Sequence, residues 1–262
     1  MEVLSPTKQL TLPVQLKHDA TFDNFYGEAN LKAASLLKYA IEAHSETLVY
    51  LSGPNGAGKS HLMCAAISLV EHLNKPDARL KDEDAQFESE RSICYFSLDE
   101  ICTSFEEENK IIEFFSSLEI YKFLVLDNID IWLESDKKQR AIKERCLFNL
   151  FNNFKISGHQ LILSAKVVPS RLNILLPDLF SRIQSGLLLH LHALCDEQKE
   201  VLLQVIAKQK GLFLEDGVTA YILKRSGRNL DDLLSVLEKL DHASLTEKRK
   251  ITIPFTKKIF NW

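Results

Sequence analysis

The sequence predicts an α/β fold, a five-stranded parallel sheet covered by helices on both faces, followed by a small all-helical C-terminal domain. Three observations carry this expectation. Short β-rich apolar runs alternate with helical patterns, one of those runs leads into a glycine-rich loop and a helix, and beyond Leu194 the strand signal stops.

The strand candidates are Leu48–Gly53, Ser92–Leu98, Tyr121–Ile129, Gln160–Ala165 and Leu187–His192. Each is rich in Val, Ile and Leu without polar alternation, the pattern of strands buried on both faces of a parallel sheet. Between them, Asn30–His44, Lys59–Leu73, Ile111–Leu118 and Lys137–Ile156 space apolar residues as helices do. In the last of these the repeat runs through Ile142, Cys146, Leu150, Phe151 and Phe154. Segments Asp196–Lys210, Asp216–Ser226 and Asn229–Ala243 read as amphipathic helices. A fourth is expected over Thr252–Asn261, with Thr252 as cap and Pro254 in the first turn, where a missing N–H costs little. The expected layout is a tail at 1–20, an α/β domain at 21–193 and a helical domain at 194–262. Residues 74–91 form a charged surface insertion that lacks the apolar residues to offset its ordering entropy.

Composition excludes several classes of function. With 45% hydrophobic and 26% charged residues the 262-residue chain has an ordinary globular balance, and its net charge of −4 argues against a protein that coats nucleic acid. The five cysteines form no CxxC pair, and the eight histidines show no HExxH spacing, so neither a disulfide framework nor a zinc site is indicated. No apolar run approaches the length of a membrane helix, and Gln9, Thr11, Pro13 and Gln15 break the N-terminal run that a secretory signal needs. The expectation is a cytoplasmic protein with no membrane partner.

GPNGAGKS, residues Gly53, Pro54, Asn55, Gly56, Ala57, Gly58, Lys59 and Ser60, matches G-x-x-x-x-G-K-[ST] between a strand and a helix. The glycines let backbone N–H groups converge on phosphate oxygens, and the following helix adds its positive end. Lys59 is expected on the β- and γ-phosphates and Ser60 on Mg²⁺, with His61 beside them in the cofactor-binding set. Asp127, at the end of the apolar run Phe123–Leu126, is the matching acidic residue for the metal's water shell. Asn128 stands where many ATPases of this kind carry a second carboxylate. An amide orients a water but takes no proton, so slow intrinsic hydrolysis of ATP is expected, with Asp130 as the one nearby substitute.

With these motifs in place the chain resembles the AAA+ superfamily of the DnaA type, and more narrowly the DnaA regulatory inactivator (Hda) family. The residues carrying the resemblance are Thr21–Phe25 (TFDNF), Gly53–Ser60, Leu124–Asp130 (LVLDNID), Leu176–Gly186 (LPDLFSRIQSG) and Lys248–Phe260. The resemblance implies that Phe22 and Phe25 lie against the adenine of ADP or ATP, and that Ser164 is the sensor 1 residue. It implies further that Arg182 is an arginine finger acting on a neighbour's ATP; an ordinary helical pair with Asp178 is the alternative. Two departures concern the nucleotide. Asp231 falls where the family carries a sensor 2 arginine, so either Arg228 replaces it or the γ-phosphate is poorly sensed and ADP is favoured; Lys166 falls where an Asp is common.

The implied activity is regulation of replication initiation, in which the protein stimulates ATP hydrolysis by the DnaA initiator and has little ATPase activity of its own. A helicase loader of the same superfamily is the alternative; a P-loop kinase fits the helical C-terminal domain poorly. The expected chain has no DNA-reading helix-turn-helix, so DNA is met indirectly. Gln9, Leu10, Thr11, Leu12 and Pro13 resemble the motif by which bacterial proteins bind the β sliding clamp of DNA polymerase III, QL-[SDT]-L-[FPL]. The competing reading makes Leu10, Leu12 and Val14 an edge strand of the protein's own sheet, which Pro13 tolerates. A homodimer is expected, because nucleotide sites of this superfamily form between subunits.

Overall fold

The structure is a computed structural model and describes residues 20–74, 93–101, 107–227 and 229–262, with the side chains of Ile101 and Asp231 also left aside. The clamp-binding pattern at Gln9–Pro13, Phe-free tail residues before Ala20, nearly all of the charged insertion and Arg228 therefore lie outside the described residues.

Five strands, β1 (Leu48–Ser52), β2 (Ile93–Ser97), β3 (Phe123–Asp127), β4 (Gln160–Ala165) and β5 (Leu187–His190), form one sheet in the order β2-β3-β4-β1-β5. Every pairing is parallel. The three inner strands are buried along their whole length, whereas the edge strands β2 and β5 are only partly buried. That difference explains the unbroken apolar runs of β1, β3 and β4.

Helices α1 (Glu28–Glu42) and α2 (Lys59–Leu73) follow the chain on either side of β1. They cover one face of the sheet, in a core that includes Leu37, Ile41, Leu62, Met63 and Ile67 with Val49, Val125 and Ile162. After β2 comes the short helix α3 (Leu98–Ile101), then α4 (Glu108–Ser117) leading through a 3₁₀ turn to β3. Helices α5 (Ile129–Leu133), α6 (Lys137–Ser157) and α7 (Pro177–Ser185) complete this part. The opposite face is filled by Leu98, Ile111, Phe115, Trp132, Leu147, Leu150 and Phe154 against Tyr50, Leu124, Leu126 and Leu163. Full burial of side chains of this size stabilises by roughly 1.5–3 kcal/mol each before entropy is counted. Asp136 caps α6 by accepting from the backbone N–H groups of Lys138 and Gln139, and Gly158 ends it in the left-handed conformation at φ 69°.

The remaining helices, α8 (Asp196–Gln209), α9 (Val218–Arg225), α10 (Leu230–Glu247) and α11 (Ile253–Phe260), pack on one another around Leu203, Val218, Ile222, Leu233, Leu240 and Phe255. Thr252 caps α11, its Oγ1 accepting from the Phe255 N–H at 3.3 Å, with Pro254 in the first turn as the sequence predicts. One bridge, Leu214 to Ile251, joins two loop segments in this helical part.

The third strand corrects an expectation. The sequence reading carries β3 to Ile129, but the strand stops at Asp127, because Asn128 adopts φ 59°, ψ 43° and turns the chain into α5. Asparagine is one of the few residues that visits this left-handed region at modest cost. Ile129, Trp132 and Leu133 then pin the short helix to the core.

Candidate nucleotide site

The strand order brings the site together. With β4 between β1 and β3, the C-terminal ends of β1, β4 and β3 lie side by side, and the loop Gly53–Gly58, Ser164 and Asp127 leave them in a row.

Beyond β1 the chain wraps into the loop and enters α2 through Gly58, whose φ is 97°. A Cβ there would stand 2.7 Å from the Phe25 ring, so the loop can follow this path against the aromatic only with glycine. At Gly56, with φ 74°, a Cβ would meet Asn229 Oδ1 at 3.0 Å and Leu230 Cβ at 3.2 Å, which shows how closely the C-terminal helices press on the loop. No side chain caps the start of α2, so its first N–H groups face the loop. Lys59 is 7% exposed, and its ammonium donates to the carbonyls of Gly53 at 2.6 Å and Pro54 at 3.1 Å.

A cavity of about 830 Å³ opens over this loop, within the range of small-molecule sites. Its phosphate end is formed by Asn55, Gly56, Ala57, Gly58, Lys59 and Ser60, with Asp127, Asn128 and Asp99 across from them. Phe25 and His61 supply an aromatic wall, their ring centroids 5.4 Å apart, and His61 Nε2 is 2.8 Å from the Thr21 carbonyl oxygen. The roof comes from the helical part, through Leu202 and Ile206 on α8 and Leu230, Leu234 and Leu237 on α10. Asn30 ties the pieces, its amide accepting from the His192 N–H at 2.8 Å and donating to the carbonyls of His192 and Ala57.

Asp127 is 4% exposed and held from three sides. Its Oδ1 accepts from the Ser164 hydroxyl and, at 2.9 Å, from the Asn128 N–H, while Oδ2 accepts from the Tyr95 hydroxyl at 2.8 Å. Burial, with the Asp127 carboxylate adding to it, pushes the Tyr95 phenol far above its ordinary range, so Tyr95 remains a donor. The residues fit a nucleotide with its metal: a buried ammonium, an uncapped helix start and a hydroxyl at Ser60 face a fixed carboxylate. Among the described residues no cluster of three or more His, Cys, Asp or Glu could hold a metal alone. Ser60 and Asp127 would hold Mg²⁺ only in company with phosphate oxygens, which is how this ion is usually bound.

Several expected site residues lie elsewhere. Ser164 is fully buried behind Asp127 and does not line the cavity. Phe22 is half-buried against the core that α1 and α2 help to form, and of the two only Phe25 lines the cavity. Gly53 and Pro54 contribute carbonyls to Lys59 rather than surface to the cavity. Asp130 turns away from it, accepting from the Lys166 N–H at 3.2 Å. Arg182 stands on α7 at a second hollow with Phe148, Asp178, Ser181 and Ser185, its guanidinium 5.9 Å from the Phe151 ring centroid. Among the described residues Arg182 makes no ion pair with Asp178.

Asp99 is the site residue that sequence reasoning missed. It follows β2, lines the cavity, and accepts from Asn128 Nδ2 at 3.1 Å and from the Ser97 hydroxyl. Partial burial pushes its carboxyl up, but hydrogen bonds from Ser97, Asn128 and the backbone N–H groups of Asp99 and Glu100 outweigh this and hold it below the usual carboxylate range. A carboxylate two residues after an apolar strand was the partial signal, but only the pairing of β2 with β3 places it at the cavity.

Fold and loop together define a P-loop nucleotide-binding protein of the AAA+ class, with a helical lid over the phosphate loop. Comparison with known families then places it more narrowly. A model described as "Bacterial DnaA ATPAse domain" matches residues 16–190, and one described as "Hda, lid domain" matches residues 196–260. The chain belongs to this DnaA-related AAA+ family, and it is a DnaA-related replication regulator. A Haemophilus influenzae protein with no described function is 35% identical over 97% of this chain and 99% of its own length. Domain III of the Thermotoga maritima replication initiation protein DnaA shares the fold at a TM-score of 0.72 and 20% identity, over 93% of this chain and 96% of that one. AMPPCP-bound DnaA from Aquifex aeolicus matches at a TM-score of 0.66 and 22% identity, covering 87% of this chain and 66% of that one.

Proposed function

We propose that this chain is a regulatory inactivator of DnaA: it binds ADP or ATP with Mg²⁺, is tethered to the DNA-loaded β sliding clamp through Gln9–Pro13, and stimulates hydrolysis of the ATP bound to DnaA. The division into a clamp-binding tail at 1–20, a nucleotide-binding domain at 21–193 and a lid at 194–262 belongs to this reading. So do a cytoplasmic location and a homodimer.

The observation that carries the reading is the position of Arg182. It lies outside the cavity formed by its own chain, on a surface hollow, and is not tied to Asp178. A guanidinium offered this way suits a neighbour's γ-phosphate, and a finger supplied in trans raises a slow NTPase rate by about 10³–10⁵. The match of residues 196–260 to the Hda lid favours this reading over a helicase loader.

The direct test mixes the protein with DnaA-ATP and DNA-loaded clamp and follows the ADP formed on DnaA. Arg182→Ala is expected to remove the stimulation while nucleotide binding by this chain stays intact; stimulation that survived the substitution would refute the finger. Deleting residues 1–14 is expected to abolish clamp association and clamp-dependent stimulation together. Should the shortened chain still bind the clamp, the tail is not the tether.

A further inference from the structure

The last fifteen residues, KRKITIPFTKKIFNW, hold five of the chain's 32 basic residues and none of its 36 acidic ones. In a chain of net charge −4 this is a local reversal of sign. Part of it gathers around Tyr221 on α9, where the Arg225 guanidinium lies 6.0 Å from the ring centroid and the Lys257 ammonium of α11 lies 5.6 Å from it. Both are within the range over which a ring face attracts a cation. Arg225 and Lys257 are exposed, and among the described residues neither makes an ion pair, whereas Lys258 is taken up by Glu247 at 2.8 Å. Two cations beside one ring repel each other, and an anion relieves that repulsion. Next to Tyr221, at 6.0 Å between ring centroids, stands Trp262, which stacks on Phe260 at 4.7 Å and 22°. All three rings are half-buried, so each keeps part of its surface in solvent.

We infer that Tyr221, Arg225, Lys257 and Trp262 form a docking surface for single-stranded DNA, with phosphates on the two cations and a base against the Trp262 ring. Cations alone would suit any polyanion. The rings narrow the choice, because unpaired bases offer π-faces that stack on aromatic side chains, whereas an acidic peptide has none and a duplex keeps its faces inside its own stack. The chain is a DnaA-related replication regulator, and copying a duplex exposes single-stranded DNA. None of the four residues lines the nucleotide cavity, and the contact needs neither the N-terminal tail nor a clamp. A chain of net negative charge can still make it, since a few phosphates meet only the local field.

The test titrates a labelled oligo(dT) of about 15 nucleotides with the full chain at about 50 mM salt and follows anisotropy, with ADP present to occupy the cavity. Binding tighter than about 100 μM is expected, weakening as salt rises. In a Trp132→Phe background, where Trp262 is the remaining tryptophan, its emission should be quenched on binding. Arg225→Gln/Lys257→Gln should weaken binding and flatten the plot of log K against log[salt] by about 1.4, from two lost phosphate contacts. Trp262→Ala should weaken it about fivefold or more. The control Lys32→Gln/Lys155→Gln, which removes the same charge from exposed sites elsewhere, should leave it unchanged within about twofold. Because Trp262 also packs in the helical part, the double variant at exposed Arg225 and Lys257 keeps the test independent of folding. No binding at this salt, tighter binding of a duplex, of oligo(U) or of polyglutamate, or equal loss of affinity in the control variant would overturn the inference.

Discussion

Asp127 illustrates how a buried carboxylate is held in place by hydrogen bonds. Three donors, Ser164, Tyr95 and its neighbour's N–H, occupy it from strands on both sides and from its own turn. Removing one donor leaves a buried charged oxygen short of a partner, and hydrogen bonds to charged groups contribute about 1.5–3 kcal/mol. Ser164→Ala is therefore expected to cost about 2 kcal/mol, read from urea midpoints without nucleotide at neutral pH. The same variant tests the role expected of Ser164 by family resemblance, because full burial lets it act on nucleotide only through Asp127. Asp99 makes a pH prediction. Its folded-state pKa lies below the ordinary 3.8, so its stabilisation is fully present above that value and is lost as pH falls through the lower, folded value. The stability difference between wild type and Asp99→Asn should accordingly shrink as pH falls below the ordinary 3.8, measured by the same urea midpoints.

At the scale of elements, the helix carrying Arg182 is held by a buried group that has no part in the nucleotide site. Glu144, fully buried on α6, accepts from the Leu175 N–H at 2.9 Å and the Leu176 N–H at 2.7 Å, at the start of α7. Its other oxygen takes Arg140 Nε at 3.1 Å, and Arg140 in turn donates to the carbonyls of Leu172 and Asn173. The carboxylate thus anchors the two residues that lead into α7 and lies near the positive end of that helix. Glu144→Ala leaves two N–H groups and Arg140 Nε without their acceptor. Breaking a buried pair costs about 3–5 kcal/mol, so Tm should fall by about 6 °C or more. On the function proposed above, stimulation of DnaA should weaken with it, even at temperatures where the variant is folded. Nothing in the sequence marks Glu144 for this task, since one glutamate in a charged helical stretch looks like any other. By contrast, β1, β4 and the capped start of α11 were legible, because apolar runs, Thr252 and Pro254 act locally. The early end of β3 was not, for it depends on one asparagine choosing a left-handed turn.

For the molecule as a whole, what the sequence withheld was adjacency. Periodicity reports that a strand is buried but not which strands flank it, so Asp127 could be read from β3 alone whereas Asp99 needed β2 to be placed beside β3. The pairing of Ser97 with Asp127 is what brings Asp99 to the cavity. The lid presents a similar case: its helices were readable from spacing, but that Leu230, Leu234 and Leu237 roof the phosphate loop follows only from the assembled chain. This roof makes the nucleotide a link between two separately packed cores, those of the sheet and of the helical part. A ligand touching both stabilises both, by RT ln(1 + [L]/Kd), or about 2.7 kcal/mol at a hundredfold excess over Kd. The two tryptophans of the chain report on the two parts, Trp132 beneath the sheet and Trp262 stacked on Phe260 in the helical part. Trp262→Phe leaves the first as sole reporter and Trp132→Phe the second, each variant serving as its own reference. Saturating ADP should raise the melting temperature seen by either tryptophan by a similar amount, about 5–10 °C, and Lys59→Ala should remove both shifts. A shift seen by Trp132 alone would mean that the lid does not close on bound nucleotide.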